Sequence, residues 1–250
     1  MTQTTELADT ADEKTQAVPY LYRRFRPQDY DYSAFTGPRA GEAVLDVTLS
    51  GIDGRQVKLS DFRGKWVVLE TASATCSMYT KNIPGMKDLR REFPDVEFLV
   101  IYVREAHPGE RLGQHRTFED KRAGALLLGP RYREDRRILI DSLDGDMHQS
   151  YGAMPNIVYI VNPEGIVHYR CNWATIDGVR KALADRDHLH TEENADMLKL
   201  WKDRSTLNSL RTMWTDGLLA LWDFALAVPY MLRGHRMADK AYEEEGKFLK

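Results

Sequence analysis

The sequence predicts an α/β fold with a central β-sheet, an N-terminal β-hairpin and a C-terminal helical appendage. Two apolar runs, at 66–71 and 96–103, are short enough to be buried parallel strands. A helical pattern at 77–93, with Pro84 inside it, lies between them, and the order strand, helix, strand is typical of parallel pairing. An apolar content of 42% and a charged content of 29% are those of a globular protein with a proper core.

The residues before this sheet divide into a tail, an arm and a hairpin. Residues 1–18 are polar and acidic without periodicity, which predicts a disordered tail. Residues 19–40 are rich in aromatic residues and arginine, and we interpret them as an arm that docks on the body of the protein through its aromatic side chains. Strand-like alternation at 44–49, a turn at 52–55 and a short run at 57–59 predict the hairpin.

The remaining predicted elements continue the alternation of helices and strands. They are a helix at 115–128, a strand at 138–141, strands at 156–161 and 166–171 on either side of a turn, and a helix at 175–186. This order is that of a thioredoxin-like sandwich, which predicts one such domain at 41–190. In that fold a cis-proline lies opposite the active cysteine, so the Met154–Pro155 bond is predicted to be cis. An ordinary trans proline at the start of a strand is the alternative.

Residues 191–250 predict an extension of two or three helices. Within them, 218–226 is apolar on nearly all sides. Such a helix must be buried against the domain, a second subunit or a membrane surface. Core packing or a homodimer is the favoured interpretation. Peripheral membrane contact through 217–232, which basic residues follow, is the alternative.

Cys76 lies between the first predicted buried strand and the predicted helix that begins at Ser77. Unpaired N–H groups and the helix dipole at such a position stabilise negative charge. We therefore expect a thiol pKa below the free value of about 8.5, and a reactive nucleophile. A buried structural cysteine is the alternative, because free cysteine is among the most buried residue types.

Composition excludes several classes of protein. A net charge of -3 shows no electrostatic footprint for nucleic acid. The two cysteines, Cys76 and Cys171, have neither CxxC nor metal-ligand spacing, which excludes a disulfide scaffold and predicts no metal site. Cys171 is interpreted as a buried structural thiol, although it is the only candidate to resolve an oxidised Cys76. The first residues show no secretory leader, and we expect a cytoplasmic protein.

From residue 66 to about 186 the sequence resembles the iodothyronine deiodinases, which are thioredoxin-fold enzymes. The resemblance rests on four segments in the same order: Val67-Val68-Leu69 with Ser73, Thr75 and Cys76; Phe98 to Pro108, a strand ending in Glu-Ala-His; Gln114 to Asp120; and Asp141 to Ala153. Cys76 takes the place of the selenocysteine of the animal enzymes. Ala74 stands where those enzymes carry a second cysteine.

The resemblance implies a thiol-dependent redoxin in which the Cys76 thiolate attacks a halogen of a small molecule. The resemblance also implies that His107 helps to supply a proton and that Glu105 orients the His107 side chain. The residues predicted to bind substrate are His115, Ser73, Thr75, Met154 and Pro155. We expect no bound cofactor and an external thiol reductant such as thioredoxin or glutathione. The remaining histidines are expected at the surface; they are His148, His168, His188, His190 and His235.

Two alternatives to a deiodinase-like enzyme stay open, a peroxidase and a non-catalytic redoxin. A one-cysteine peroxiredoxin-like peroxidase is favoured by Ser73, three residues before Cys76, but the proline expected seven residues before the cysteine is Leu69. A disulfide reductase is disfavoured, because Tyr79 occupies the second position of a CxxC pair. The third interpretation is a non-catalytic redoxin that binds partners through its C-terminal helices.

Overall fold

The computed structural model describes residues 20–196 and 205–249. The predicted tail at 1–18 lies outside the described residues, as do residues 197–204 of the predicted helical extension. Among the described residues no helix is long and apolar enough to cross a membrane.

A seven-stranded mixed sheet forms the centre of the fold, in the order β2-β1-β5-β4-β3-β6-β7. Its strands are β1 (Thr48–Gly51), β2 (Gln56–Lys58), β3 (Trp66–Ala72), β4 (Val96–Tyr102), β5 (Arg137–Ile140), β6 (Val158–Val161) and β7 (Val167–Cys171). Strands β3, β4 and β5 run parallel, whereas β6 runs antiparallel to β3, with β7 next to it. The central register places Leu69 opposite both Leu99 and Tyr159, all of them buried. This topology confirms the predicted thioredoxin-like class.

Helices cover the sheet and extend beyond it. They are α1 (Ser77–Glu92), α2 (Phe118–Leu126), α3 (Leu128–Tyr132), α4 (Asp146–Ser150), α5 (Ile176–Ala184), α6 (Ser205–Asp216) and α7 (Leu218–Glu244). The helix predicted from His115 begins at Phe118 instead, because Thr117 and Asp120 form a reciprocal cap at its start. Helix α4 was not predicted, since five residues are too few to show a helical period.

The arm and the C-terminal helices pack on the edge of the sheet where β3 and β4 end. Aromatic residues of the arm are buried, among them Tyr22, Phe25 and Tyr32. Helix α6 lies against α1, where the hydroxyls of Thr80 and Thr212 are 3.2 Å apart. A short parallel ladder between Asn194–Ala195 and Phe248–Leu249 returns the end of the chain to the domain.

The predicted cis-proline is wrong. Every peptide bond between described residues is trans, the Met154–Pro155 bond included. Gly152 and Ala153 reverse the chain here instead, with φ of 124° and 59°. Because positive φ supplies the turn, the proline keeps the trans geometry that X-Pro bonds favour.

The prediction of surface histidines is also wrong, except for His188. The other four are buried because each packs within the fold: His148, His168, His190 and His235. His148, for example, lies between the Tyr20 hydroxyl at 3.0 Å and the Met154 carbonyl at 2.7 Å.

Candidate active site

Parallel pairing brings the two predicted catalytic segments together. Strand β3 leads to Cys76 and β4 leads to Glu105–His107, so both segments follow carboxyl ends at one edge of the sheet. Cys76 caps helix α1, with φ −91° and ψ 109°. The backbone N–H groups of Met78 and Tyr79 in the first turn act to lower the pKa of its thiol, although its side chain makes no capping hydrogen bond. The sequence therefore places this thiol at a helix N-terminus, as predicted.

The predicted low pKa of Cys76 is wrong for this closed arrangement. Cys76 is only 2% exposed, and burial raises the pKa of its thiol to about 12. The two backbone N–H groups lower the pKa, but the loss of water outweighs them, and the carboxylates of Glu70 and Glu105 raise it further. Sequence spacing shows the helix terminus and does not show how much water reaches it.

Glu105 organises a buried polar group of side chains that we call the Glu105 cluster: Glu105, Ser73, Thr75, Tyr102 and His115. Its Oε2 atom accepts hydrogen bonds from the Ser73 hydroxyl at 2.8 Å, the Thr75 hydroxyl at 2.7 Å and the Thr75 backbone N–H at 3.0 Å. The Tyr102 hydroxyl donates to Oε1. The two hydroxyls predicted to touch sulfur or substrate are thus turned towards Glu105.

His115 belongs to this cluster and lies apart from the cavity at Cys76. Its Nε2 atom is 3.5 Å from Glu105 Oε1, beyond a good hydrogen bond, and the residue is 4% exposed. Burial lowers its pKa. His115 does not line the cavity, so a direct substrate contact would need a rearrangement of these buried groups.

His107 faces the same cavity as Cys76. Its ring packs on Phe25, with centroids 4.3 Å apart, and on Phe224 at 5.6 Å. Burial lowers its pKa to about 4, and its Nδ1 atom has no hydrogen-bond partner. Glu105 does not orient the ring as predicted. The link is indirect, because the His107 backbone N–H donates to the Thr75 hydroxyl at 3.0 Å.

The cavity in front of Cys76 is small and mostly apolar. About 40 Å³ is open to solvent-sized molecules, room for roughly three waters. Met154 and Pro155 line it, as predicted, whereas Ser73 and Thr75 do not. Cys171 is buried in β7 and does not line it either.

Side chains from the arm and from α7 cover this cavity, and we call them the roof: Phe25, Tyr30, Tyr32, Phe224, Met231 and His235. An ion pair between the exposed Arg24 and the buried Asp223 joins the two halves of the roof. Arg24 of the arm donates from Nε to Asp223 Oδ2 of α7 at 2.9 Å, with a second contact to Oδ1. Access to Cys76 therefore depends on segments outside the α/β domain.

The C-terminal helices also hold the loop that follows His107. Glu110 accepts from the N–H groups of Leu218 and Leu219, at 2.5 and 2.9 Å, and so caps α7 from another part of the chain. The Arg111 N–H donates to the Asp216 carbonyl at 3.0 Å. Part of the extension at 191–250 thus positions the Glu-Ala-His loop.

Sequence reasoning missed two buried charged groups near the site. Glu70, in the middle of the apolar strand β3, pairs with Arg136 at 2.7 Å, and Arg136 also pairs with Glu134. Arg104, directly before Glu105, is buried among tyrosines of the arm. The sequence did show a charged residue inside or beside each apolar run, and a buried charge needs a partner. Sequence spacing, however, does not identify the partner of that charged residue.

No group of three or more potential metal ligands occurs among residues 20–196 and 205–249. Within the Glu105 cluster the hydroxyls of Ser73, Thr75 and Tyr102 are hydrogen-bonded to Glu105, whereas His115 Nε2 has no hydrogen-bond partner. The site therefore offers a thiol, an imidazole and phenols as its chemical groups.

Comparison with known proteins agrees with this geometry. The family model for iodothyronine deiodinase matches residues 20–173. A thyroxine 5-deiodinase of Sparus aurata is 28% identical over 127 residues, covering 46% of this chain and 47% of that protein. A type II iodothyronine deiodinase of Rattus norvegicus is 29% identical over 133 residues, covering 46% of this chain and 50% of that protein.

The chain thus spans about half the length of the curated relatives it matches. Among solved structures, the thioredoxin domain of a thiol-disulfide oxidoreductase from Bacteroides vulgatus aligns with a TM-score of 0.47 and 18% identity. That alignment covers 59% of this chain and 96% of the other. The match at 20–173 takes in the arm, both catalytic segments and the strand pair that follows Pro155. On this match, the chain belongs to the iodothyronine deiodinase family.

Proposed function

We propose that this protein is a thiol-dependent oxidoreductase that removes halogen reductively from a small aromatic molecule, with Cys76 as the nucleophile. One observation carries the proposal: Cys76 and His107 line one apolar cavity at the carboxyl edge of the sheet. An apolar lining suits a halogenated ring better than a peroxide, because it has few polar groups to hold the smaller molecule. Family membership supports a redox function.

The proposed reaction starts with the thiolate of Cys76. Its sulfur forms a bond to the halogen, the carbon–halogen bond breaks, and the carbon keeps the electron pair and takes up a proton. The sulfenyl halide is then reduced by two equivalents of an external thiol, which releases halide and yields a disulfide of that thiol. Several side chains that line the cavity carry exchangeable protons, among them His107, Tyr30, Tyr32 and His235.

Substrate binding requires the roof to move. A cavity of about 40 Å³ is far smaller than the several hundred Å³ that ligand pockets usually provide. Opening the roof also hydrates Cys76, which removes the largest cause of its raised pKa and leaves the lowering effect of the Met78 and Tyr79 N–H groups. Opening and activation of the thiol are therefore coupled.

The reductant is proposed to be external, of the thioredoxin or glutathione type, because Cys171 does not line the cavity of Cys76. Cytoplasmic location stays a prediction, and so does the formation of a homodimer or a membrane contact through 217–232. The outer face of the C-terminal helices carries exposed apolar side chains, among them Trp214, Leu218, Trp222, Leu226 and Tyr230.

The burial of Cys76 favours one other function, a non-catalytic redoxin. Activity separates the two. Wild type, Cys76→Ser and Cys171→Ala are assayed for iodide release from iodinated phenols and for consumption of hydrogen peroxide, with dithiothreitol as reductant. We expect iodide release that Cys76→Ser abolishes and Cys171→Ala retains. Peroxide turnover that depends on Cys76, without iodide release, would favour the peroxidase. No turnover, or turnover untouched by Cys76→Ser, would overturn the proposed function.

A further inference from the structure

Tyr30 joins the Cys76 cavity to a buried cation. Its ring lines the cavity with Cys76 and His107. Its hydroxyl is hydrogen-bonded to the hydroxyl of Tyr22, and the guanidinium of Arg104 lies over its ring. The Tyr22 hydroxyl in turn donates to the Ala106 carbonyl at 2.9 Å, between Glu105 and His107. The phenol of Tyr30 is thereby fixed to the Glu-Ala-His loop.

Arg104 carries a charge that no carboxylate balances among the residues described. It is 8% exposed, has no acidic group within 4 Å in the described chain, and its Nε atom has no hydrogen-bond partner. Its guanidinium instead lies 4.8 Å from the ring centroids of Tyr20 and Tyr22, and 5.4 Å from that of Tyr30. A buried cation without a counter-ion costs free energy, and an anion that forms beside it recovers part of this cost.

His107 lacks such support. Its ring lies between two phenylalanines, and its Nδ1 atom has no partner. Burial keeps the imidazole neutral at neutral pH. A neutral imidazole is a weaker acid than a phenol, and nothing near it would stabilise the charge left after donation. Of the described titratable side chains that line the cavity with Cys76, Tyr30 is the one with the Arg104 guanidinium over its ring, and a cation there stabilises the anion that a proton donor leaves.

We propose that Tyr30 is the proton donor of the dehalogenation, with Arg104 as its positioning residue. As the sulfur of Cys76 takes the halogen, the Tyr30 hydroxyl gives its proton to the carbon that loses it. The resulting tyrosinate is stabilised by the charge of Arg104, while the single hydrogen of the Tyr22 hydroxyl stays donated to the Ala106 carbonyl. It recovers a proton when the external thiol reduces the sulfenyl halide and releases one. The inference rests on the proposed function.

The test compares wild type with Tyr30→Phe, which keeps the ring and removes the hydroxyl. For iodinated phenols we expect kcat to fall about 100-fold, the size of a general-acid contribution, with KM changed less than about threefold. The alkylation rate of Cys76 by iodoacetamide should change less than twofold, because the roof is intact. Tyr230→Phe, on the exposed face of α7, is the matched control and should keep the wild-type kcat.

A second experiment measures kcat for Arg104→Met and Arg104→Lys. Loss of the cation should lower kcat, and the lysine variant should recover part of it, which a merely structural arginine would not show. Equal kcat in wild type, Tyr30→Phe and Arg104→Met would overturn the role of Tyr30 while leaving Cys76 chemistry standing. Absence of Cys76-dependent iodide release in wild type would overturn the proposed function, and this role with it.

Discussion

The two sides of Cys76 are built in opposite ways. Behind it, the Glu105 cluster consists of polar side chains from the α/β domain, joined by short hydrogen bonds and almost free of solvent. In front of it, the roof consists of aromatic and apolar side chains from the arm and α7. Few polar contacts hold the roof, and the Arg24–Asp223 pair is one of them.

This difference separates positioning from access. A hydrogen-bonded carboxylate with several donors fixes the backbone on either side of the thiol, because each donor would be left unsatisfied by any shift. Packing of aromatic rings is non-directional and tolerates rearrangement at lower cost. The cluster thus keeps the geometry of the Cys76 segment, and the roof decides when water and substrate reach it.

The largest loss of stability is expected when the Glu105 cluster loses the Glu105 carboxylate. Glu105→Ala removes the shared acceptor of the Ser73, Thr75 and Tyr102 hydroxyls and leaves only the contacts between Ser73 and Thr75 at 3.0 and 3.3 Å, which should lower the free energy of unfolding by about 3 kcal/mol. Urea denaturation followed by circular dichroism measures it.

Glu105→Gln sharpens the result. Its amide oxygen can keep the three donors of Oε2 while its NH₂ group faces Tyr102, so we expect a loss of only about 1 kcal/mol. Glu119→Gln, with a side chain 78% exposed, is the control and should change stability little. Equal stability of Glu105→Ala and wild type would show that the cluster does not hold the site.

Two histidines that line the Cys76 cavity should make the protein sensitive to acid. His107 and His235 have folded pKa values lowered from 6.5 to about 4, because burial disfavours the imidazolium. Their contribution to stability is fully present above pH 6.5 and is lost as pH falls through about 4, since the unfolded chain takes up the protons first. Each adds a slope of about 1.4 kcal/mol per pH unit within that window.

His235→Gln should remove one such slope. Urea denaturation at pH 6.5, 5.5 and 4.5 compares it with wild type and with His188→Gln, whose side chain is 80% exposed and should not reduce the slope. An unchanged acid dependence in His235→Gln would show that water already reaches the roof in solution.

The cluster was partly predictable and the roof was not. Glu105 and His115 were recognised from short motifs, and the parallel strands β3 and β4 were visible as apolar runs, so their meeting at one edge followed from topology. The hydroxyls of Ser73 and Thr75 were identified, but their partner was not, because a hydroxyl can turn either way on the same backbone.

The roof depends on contacts between distant parts of the chain. Phe25 and Phe224 both pack on His107, yet about two hundred residues separate them in the sequence. Local periodicity predicts that each segment is amphipathic and cannot say what it covers. The same limit explains the wrong pKa of Cys76: the helix terminus is a local feature, whereas burial is a sum over the whole fold.

The smallest effect is expected at the pair that joins the two halves of the roof. Arg24→Ala removes a pair whose arginine is 55% exposed and whose carboxylate, Asp223, is 8% exposed, so global stability should fall, but by less than in Glu105→Ala. Because the arm and α7 lose their polar tie, the roof should open more often, and alkylation of Cys76 by iodoacetamide should become a few-fold faster. Arg55→Ala, which removes an exposed pair with Asp53 in the hairpin, is the control. Faster alkylation in both variants would mean general loosening, whereas faster alkylation in Arg24→Ala alone would show that this tie governs access to the thiol.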